Sequence, residues 1–239
     1  MYGGFVKQGC KKELEIMCGR FTLRTPAAAI AKYFNVSAVE EWQVALRFNI
    51  APTQDVLIVR EAPNGEAREA IFVRWGLIPF WATDHKIGNR LINARAETAL
   101  EKRSFKSALL KRRCLVVADG WYEWQKLGSR KQPYLFQVAD QRPFAFAGAW
   151  ERWDKGGEPL ETCTILTTAA NELASPIHDR MPVIIDPANY SQWLDRTMQE
   201  PERIRPLLTP YDGRDLECIP VSDWVNNPRH EGPDCVEPV

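Results

Sequence analysis

Cys114-Leu115-Val116-Val117-Ala118, Tyr122-Glu123-Trp124-Gln125, Tyr134-Leu135-Phe136-Gln137-Val138 and Phe144-Ala145-Phe146-Ala147-Gly148-Ala149 follow one another with only short breaks between them. These runs are short, apolar and rich in aromatic and β-branched residues, which is the signature of strands. Cys163–Thr168 extends the series, and Pro182–Ile185 and Leu216–Val221 close it. Upstream, Val56–Arg60 and Ala70–Trp75 are strand-like, with Asn64-Gly65 as the turn between them. Many strands in succession with few, dispersed helices predict an α+β domain on a mainly antiparallel, barrel-like sheet with peripheral short helices.

The helical signals are local. Thr25-Pro26 reads as N-cap and first-turn proline for a helix over Ala27–Phe34. Thr98 with Glu101 forms a capping-box pattern for a helix running to about Arg112. Asp186-Pro187 caps a helix to Arg196, Ala169–Ala174 suggests a helical turn, and Ile78–Leu91 reads as a loop. Lys111-Arg112-Arg113 reads as a solvated helix end.

The 239 residues are 45% hydrophobic and 26% charged, ordinary globular composition for one sizeable core. Formal net charge is zero, which argues against bulk attraction to nucleic acid and leaves a local basic patch open. Six cysteines show no CxxC pair, so neither zinc nor any other cofactor is expected. Cys114 and Cys163 sit in apolar runs and read as core residues in a reducing cytosol. There is no signal peptide or membrane span, so the expected location is cytoplasmic, and nothing requires more than a monomer.

Met17-Cys18-Gly19-Arg20 reads as a buried start signal. With Met17 removed, Cys18 offers an α-amine titrating near ~8, against ~10.4 for lysine, beside a thiol of ~8.5. The pair can trap an aldehyde as a five-membered thiazolidine. Residues 1–17 then read as an extension, either a misassigned start (Lys12-Glu13 can be encoded as a ribosome-binding sequence) or a propeptide cut before Cys18. Residues 18–239 form the working domain.

Five polar segments stand out: Cys18–Arg20, Asn49–Pro52, Asn93–Glu97, Asp119–Trp124 and Ile177–Pro182. Singly, each has a structural reading: a capping Asn93, a paired Glu123, a structural His178, and Asp179 with Arg180 as an ion pair. His85 and His230 read as structural too. Together, the blocks MCGRF, FNIAPT, WGLIPFW, LINARAET, ADGWYEW and PIHDRMP resemble, in order from Met17 onward, the SOS-response-associated peptidase (SRAP) family of abasic-site processing proteins.

That resemblance implies single-stranded DNA with abasic sites as partner, a covalent crosslink to the site, and peptidase and lyase-type chemistry. It makes Cys18 the crosslinking nucleophile, places Asn93 against the opened deoxyribose, and gives Glu123 the acid/base role. It also makes His178 an aid to Schiff-base chemistry. Arg20, Arg95 and Arg103 match phosphate-binding arginines, and Asn49, Pro52 and Trp81 fall in the DNA-binding set. Ala82 departs from members with a second aromatic after the tryptophan.

The residues supply matching chemistry. A carbinolamine between the Cys18 amine and an abasic aldehyde must lose water, which needs a proton donor. Glu123, flanked by Trp121, Tyr122 and Trp124, is expected to have a raised pKa suited to that task. The rival readings are an N-terminal-nucleophile hydrolase of the glutamine amidotransferase type, a Cys18–His178 peptidase, and a non-enzymatic single-strand binder.

Overall fold

The computed structural model describes residues 18–36, 45–65 and 67–239; the extension over residues 1–17 lies outside the described residues. Among the described residues there are twelve strands: β1 (Phe21–Leu23), β2 (Arg47–Ile50), β3 (Asp55–Glu61), β4 (Arg68–Trp75), β5 (Asn93–Arg95) and β6 (Arg113–Ala118), then β7 (Gly120–Leu127), β8 (Arg130–Val138), β9 (Phe144–Trp153), β10 (Leu160–Ala169), β11 (Arg180–Pro182) and β12 (Leu216–Pro220). The short helices are α1 (Ala27–Phe34), α2 (Ala96–Ala99), α3 (Lys106–Lys111), α4 (Tyr190–Leu194) and α5 (Pro201–Ile204).

β10, β4, β3, β6 and β9 pair in that order, and β9 returns to β10, so five strands close into a barrel. Closure removes the free edges that an open sheet would expose. The β10–β4 and β10–β5 pairings are parallel, and the other pairings within the two sheets are antiparallel. A second sheet runs β12-β8-β7-β1-β2. Among the described residues no helix is long and apolar enough to cross a membrane.

Aromatic packing joins the two sheets. Phe21 and Trp121 are direct partners across β1 and β7. Phe21 meets Trp75 and Phe146 edge-on at 5.3 and 5.7 Å, while Trp121 meets Phe144 and Phe146 edge-on at 6.0 and 6.3 Å. Edge-to-face pairs at these distances add about 0.5–1.5 kcal/mol each beyond burial. Gly120 makes the approach of β1 possible, because a Cβ there would stand 2.8 Å from Thr22 Oγ1 and 2.9 Å from Leu135.

Three local readings are corrected. α1 forms as expected, but its N-cap residue is Pro26; the Thr25 hydroxyl and amide donate instead to Asp119, at the corner between β6 and β7. The helix expected from Thr98 to Arg112 is broken: Thr98 lies inside α2, and α3 starts only at Lys106. Arg113 is no solvated helix end. Its buried guanidinium donates to the carbonyls of Leu109, Leu110, Trp193 and Asp195, where α3 and α4 end. Helix-end carbonyls lack partners within their own helix, and a five-donor fork satisfies several at once.

Candidate active site

Strand register builds the site. With Phe21 opposite Trp121, the antiparallel pairing carries the chain before Phe21 alongside the chain after Trp121. Tyr122 N donates to Arg20 O at 2.9 Å, and one step further Cys18 N donates to Glu123 Oε1 at 3.0 Å. The aromatic seam that joins the sheets therefore sets the distance between the Cys18 nitrogen and the Glu123 carboxyl. Cys18 is 4% exposed and Glu123 2%. Cys18 has a φ of +46°, a left-handed conformation costly for a residue with a side chain.

Burial dominates the electrostatics. Desolvation pushes the Glu123 carboxyl up to about 8, against the lowering effect of its hydrogen bonds from Cys18. The Cys18 thiol is raised well above its ordinary value, first by burial and then by the neighbouring Glu123 charge. At neutral pH the pair is an acid beside a thiol, not a carboxylate beside a thiolate.

The barrel contributes the other side. β5 pairs in parallel with β10, Ile165 opposite Asn93, and Asn93 Nδ2 donates to Cys18 O at 3.4 Å. β11 pairs with the end of β10, Ala169 opposite Arg180, which places His178 just before that pairing. His178 Nδ1 accepts from the Arg180 amide at 3.0 Å. Arg180 itself forms a fork with Glu97, at 2.6 and 2.9 Å, and donates to Thr167 O. The expected Asp179–Arg180 pair is thus replaced: Asp179 lies 3.1 Å from His178 Nδ1, and Arg180 pairs with Glu97, where two parallel bonds are available.

Glu123, His178, Arg20 and Pro52 line one open cavity of about 650 Å³. Arg20 donates to Asn49 Oδ1 at 2.7 Å and Val225 O at 2.9 Å, with its guanidinium 5.6 Å from the Trp124 ring. Asn49 is fully buried, and its amide donates to the carbonyls of Val225, Asn227 and His230. Its place is to hold Arg20 and the C-terminal segment. Arg95 and Arg103 are exposed. Trp81 is half-buried, with the Arg103 guanidinium 4.5 Å over its ring; neither lines the cavity.

Sequence reading missed Asn226, which accepts from Trp124 Nε1 at 2.6 Å and lines the cavity. It had no local signal, because it acts through a partner distant in the chain. Glu97 fell within a polar segment that stood out in the sequence, but its pairing with Arg180 was not read. Among the described residues, no group of three His, Cys, Asp or Glu could hold a metal ion.

The site is thus a buried carboxyl set against a cysteine nitrogen and thiol, opening into an arginine-bearing cleft on an α+β barrel. Residues 17–228 match the family model described as SOS response associated peptidase (SRAP), and the chain belongs to that family. It is 43% identical over 225 residues to "Abasic site processing protein YoqW" of Bacillus subtilis (strain 168), covering 92% of this chain and 99% of that protein. It is 30% identical over 228 residues to "Abasic site processing protein YedK" of Escherichia coli (strain K12), covering 93% and 100%. A crystal structure of a Bacteroides thetaiotaomicron protein superposes with a TM-score of 0.83 at 28% identity, covering 93% of this chain and all of that one.

Proposed function

We propose that this protein processes abasic sites in single-stranded DNA by forming a covalent thiazolidine through Cys18. The observation that carries the reading is the 3.0 Å contact between the Cys18 nitrogen and a carboxyl raised to about 8. Family membership and relatives named for abasic-site processing support the substrate.

The working form begins at Cys18, either by initiation at Met17 and its removal or by cleavage before Cys18. Two observations favour that form. The nitrogen that would be the amine is the one held against Glu123. The left-handed φ of Cys18 also exists only while a carbonyl precedes it; a free terminus has no φ and sheds that cost of about 1–2 kcal/mol.

The amine adds to the open-chain aldehyde, and a proton passes from nitrogen to oxygen, giving a carbinolamine. Glu123 then donates its proton to the hydroxyl, water leaves, and an iminium forms. The thiol sulfur closes on the same carbon as its proton returns to the Glu123 carboxylate. The sum is amine, aldehyde and thiol giving thiazolidine and water, with Glu123 restored. The high thiol pKa fits this order, since the amine acts first and the thiol second. It also disfavours a Cys18–His178 peptidase, which needs a ready thiolate. His178 assists opening of the closed sugar at its ring oxygen, and Asn93 lies beside Cys18 to hold the opened form.

The test uses protein beginning at Cys18 and a single-stranded oligonucleotide with one abasic site, resolved on a denaturing gel. A heat-stable adduct from the parent and none from Cys18→Ser is expected. Equal adduct from Cys18→Ser defeats the thiazolidine, and glutaminase activity without adduct favours the hydrolase reading.

A further inference from the structure

The cavity has a second wall that this chemistry leaves unused. In the β7–β8 hairpin, Lys126 lies directly opposite Lys131, and both line the same cavity as Glu123 and His178. Directly opposed residues of an antiparallel pair share a face with Cβ atoms about 5 Å apart, and like charges there repel. Both lysines are exposed. Among the described residues neither has a carboxylate within ion-pair range. Trp124, two residues back on the same strand face, meets Arg20. Arg20, Lys126 and Lys131 are thus the cationic lining, and Glu123 is the sole acidic residue in it. A pair of facing ammonium groups with no counter-charge is relieved by an anion placed between them.

We propose that Lys126 and Lys131 together grip a backbone phosphate of the DNA strand beside the reacting nucleotide. The proposal rests on the DNA reading above, since the reacting sugar and its neighbouring phosphate must lie within one cavity. The grip is electrostatic and sequence-independent, and it adds to Arg20 rather than to the Trp81–Arg103 pair. It orients the strand and takes no part in bond making.

The experiment measures equilibrium binding of the full chain to a single-stranded oligonucleotide carrying a tetrahydrofuran abasic analogue, which has no aldehyde, over a range of salt. Each phosphate contact on a single strand contributes about 0.7 to the slope of log affinity against log salt. Lys126→Ser/Lys131→Ser should therefore lower the slope by about 0.7 and weaken binding on the order of 5-fold at 0.1 M salt. Lys126→Arg/Lys131→Arg should keep the parent slope, and Lys32→Ser on α1 serves as a distant control. Thermal melting confirms that the serine variant is folded, and single substitutions each give about half the change if the double variant is not. Parent slope and affinity in the serine variants overturn the proposal. Adduct formation on a true abasic site by protein beginning at Cys18 is read separately. Its absence overturns the DNA-crosslinking reading while the salt slope still reports on the lysines.

Discussion

Cys18 and Glu123 are 4% and 2% exposed, whereas Phe80 is 52% exposed and its neighbour Trp81 meets an exposed Arg103 across its ring. The first region is dry and held by strand register; the second is a wet loop surface between β4 and β5. In the dry region a proton is worth several pKa units, because no water competes for the charge. In the wet region a π-face and a guanidinium give sequence-tolerant affinity that salt and motion temper. Under the proposed function, chemistry belongs to the seam between the sheets and capture to the loop.

Variants separate the two regions, beginning with the largest effect. Trp121→Ala removes the residue that sets the β1–β7 register and should cost about 3–5 kcal/mol of stability. The denaturation midpoint reads it, and an unshifted midpoint would remove the seam from its structural role. Glu123→Gln should slow adduct formation about 100-fold while leaving binding of the tetrahydrofuran oligonucleotide intact. In the parent, the rate should fall as pH rises through about 8, where the acid ionises, and the glutamine variant should lack that falling limb.

The same carboxyl has a consequence for stability. Its folded pKa is raised above the ordinary 4.5 to about 8, so the folded chain binds the proton more tightly than the unfolded one. The favourable contribution is fully present below about pH 4.5 and is lost as pH rises through about 8. Glu123→Gln should flatten the pH dependence of unfolding across that window by a few kcal/mol, on the order of 1.4 per pKa unit.

Trp81→Ala should weaken binding about 5- to 100-fold, equivalent to ~1–3 kcal/mol for a stacked base, with the adduct rate at saturating DNA unchanged. A lowered saturating rate would move Trp81 from capture into chemistry. Arg103→Ala is the mildest, about 2- to 5-fold in affinity, from a surface cation–π pair.

The consecutive strands from Cys114 to Thr168 were legible because alternating apolar runs carry their own signal. The barrel-like sheet was expected from them as well, but the parallel β10–β4 pairing that closes it joins Cys163 to Trp75 without any local mark. Tertiary demands also overrode local patterns. Thr98 sits in a helix too short to need its capping box, and Arg113 is drawn inward by helix-end carbonyls. Cys18, Asn93, Glu123 and His178 stood out as polar residues amid apolar segments, and the family resemblance bound them into one site. Asn49 stood out equally, yet its buried amide serves three backbone carbonyls. Its position in the chain does not distinguish a residue that touches substrate from one that holds such a residue.

The free amine of Cys18 is the centre of the proposed chemistry, and intact mass tests it most directly. Protein beginning at Cys18 and the full 239-residue chain are each incubated with an abasic oligonucleotide, and the adducts are weighed and mapped. The expected result is a species from the shorter form equal to protein plus DNA less one water, mapped to Cys18, with none from the full chain while residues 1–17 remain attached. An equal adduct from the uncleaved full chain, or an attachment mapped elsewhere, would contradict it.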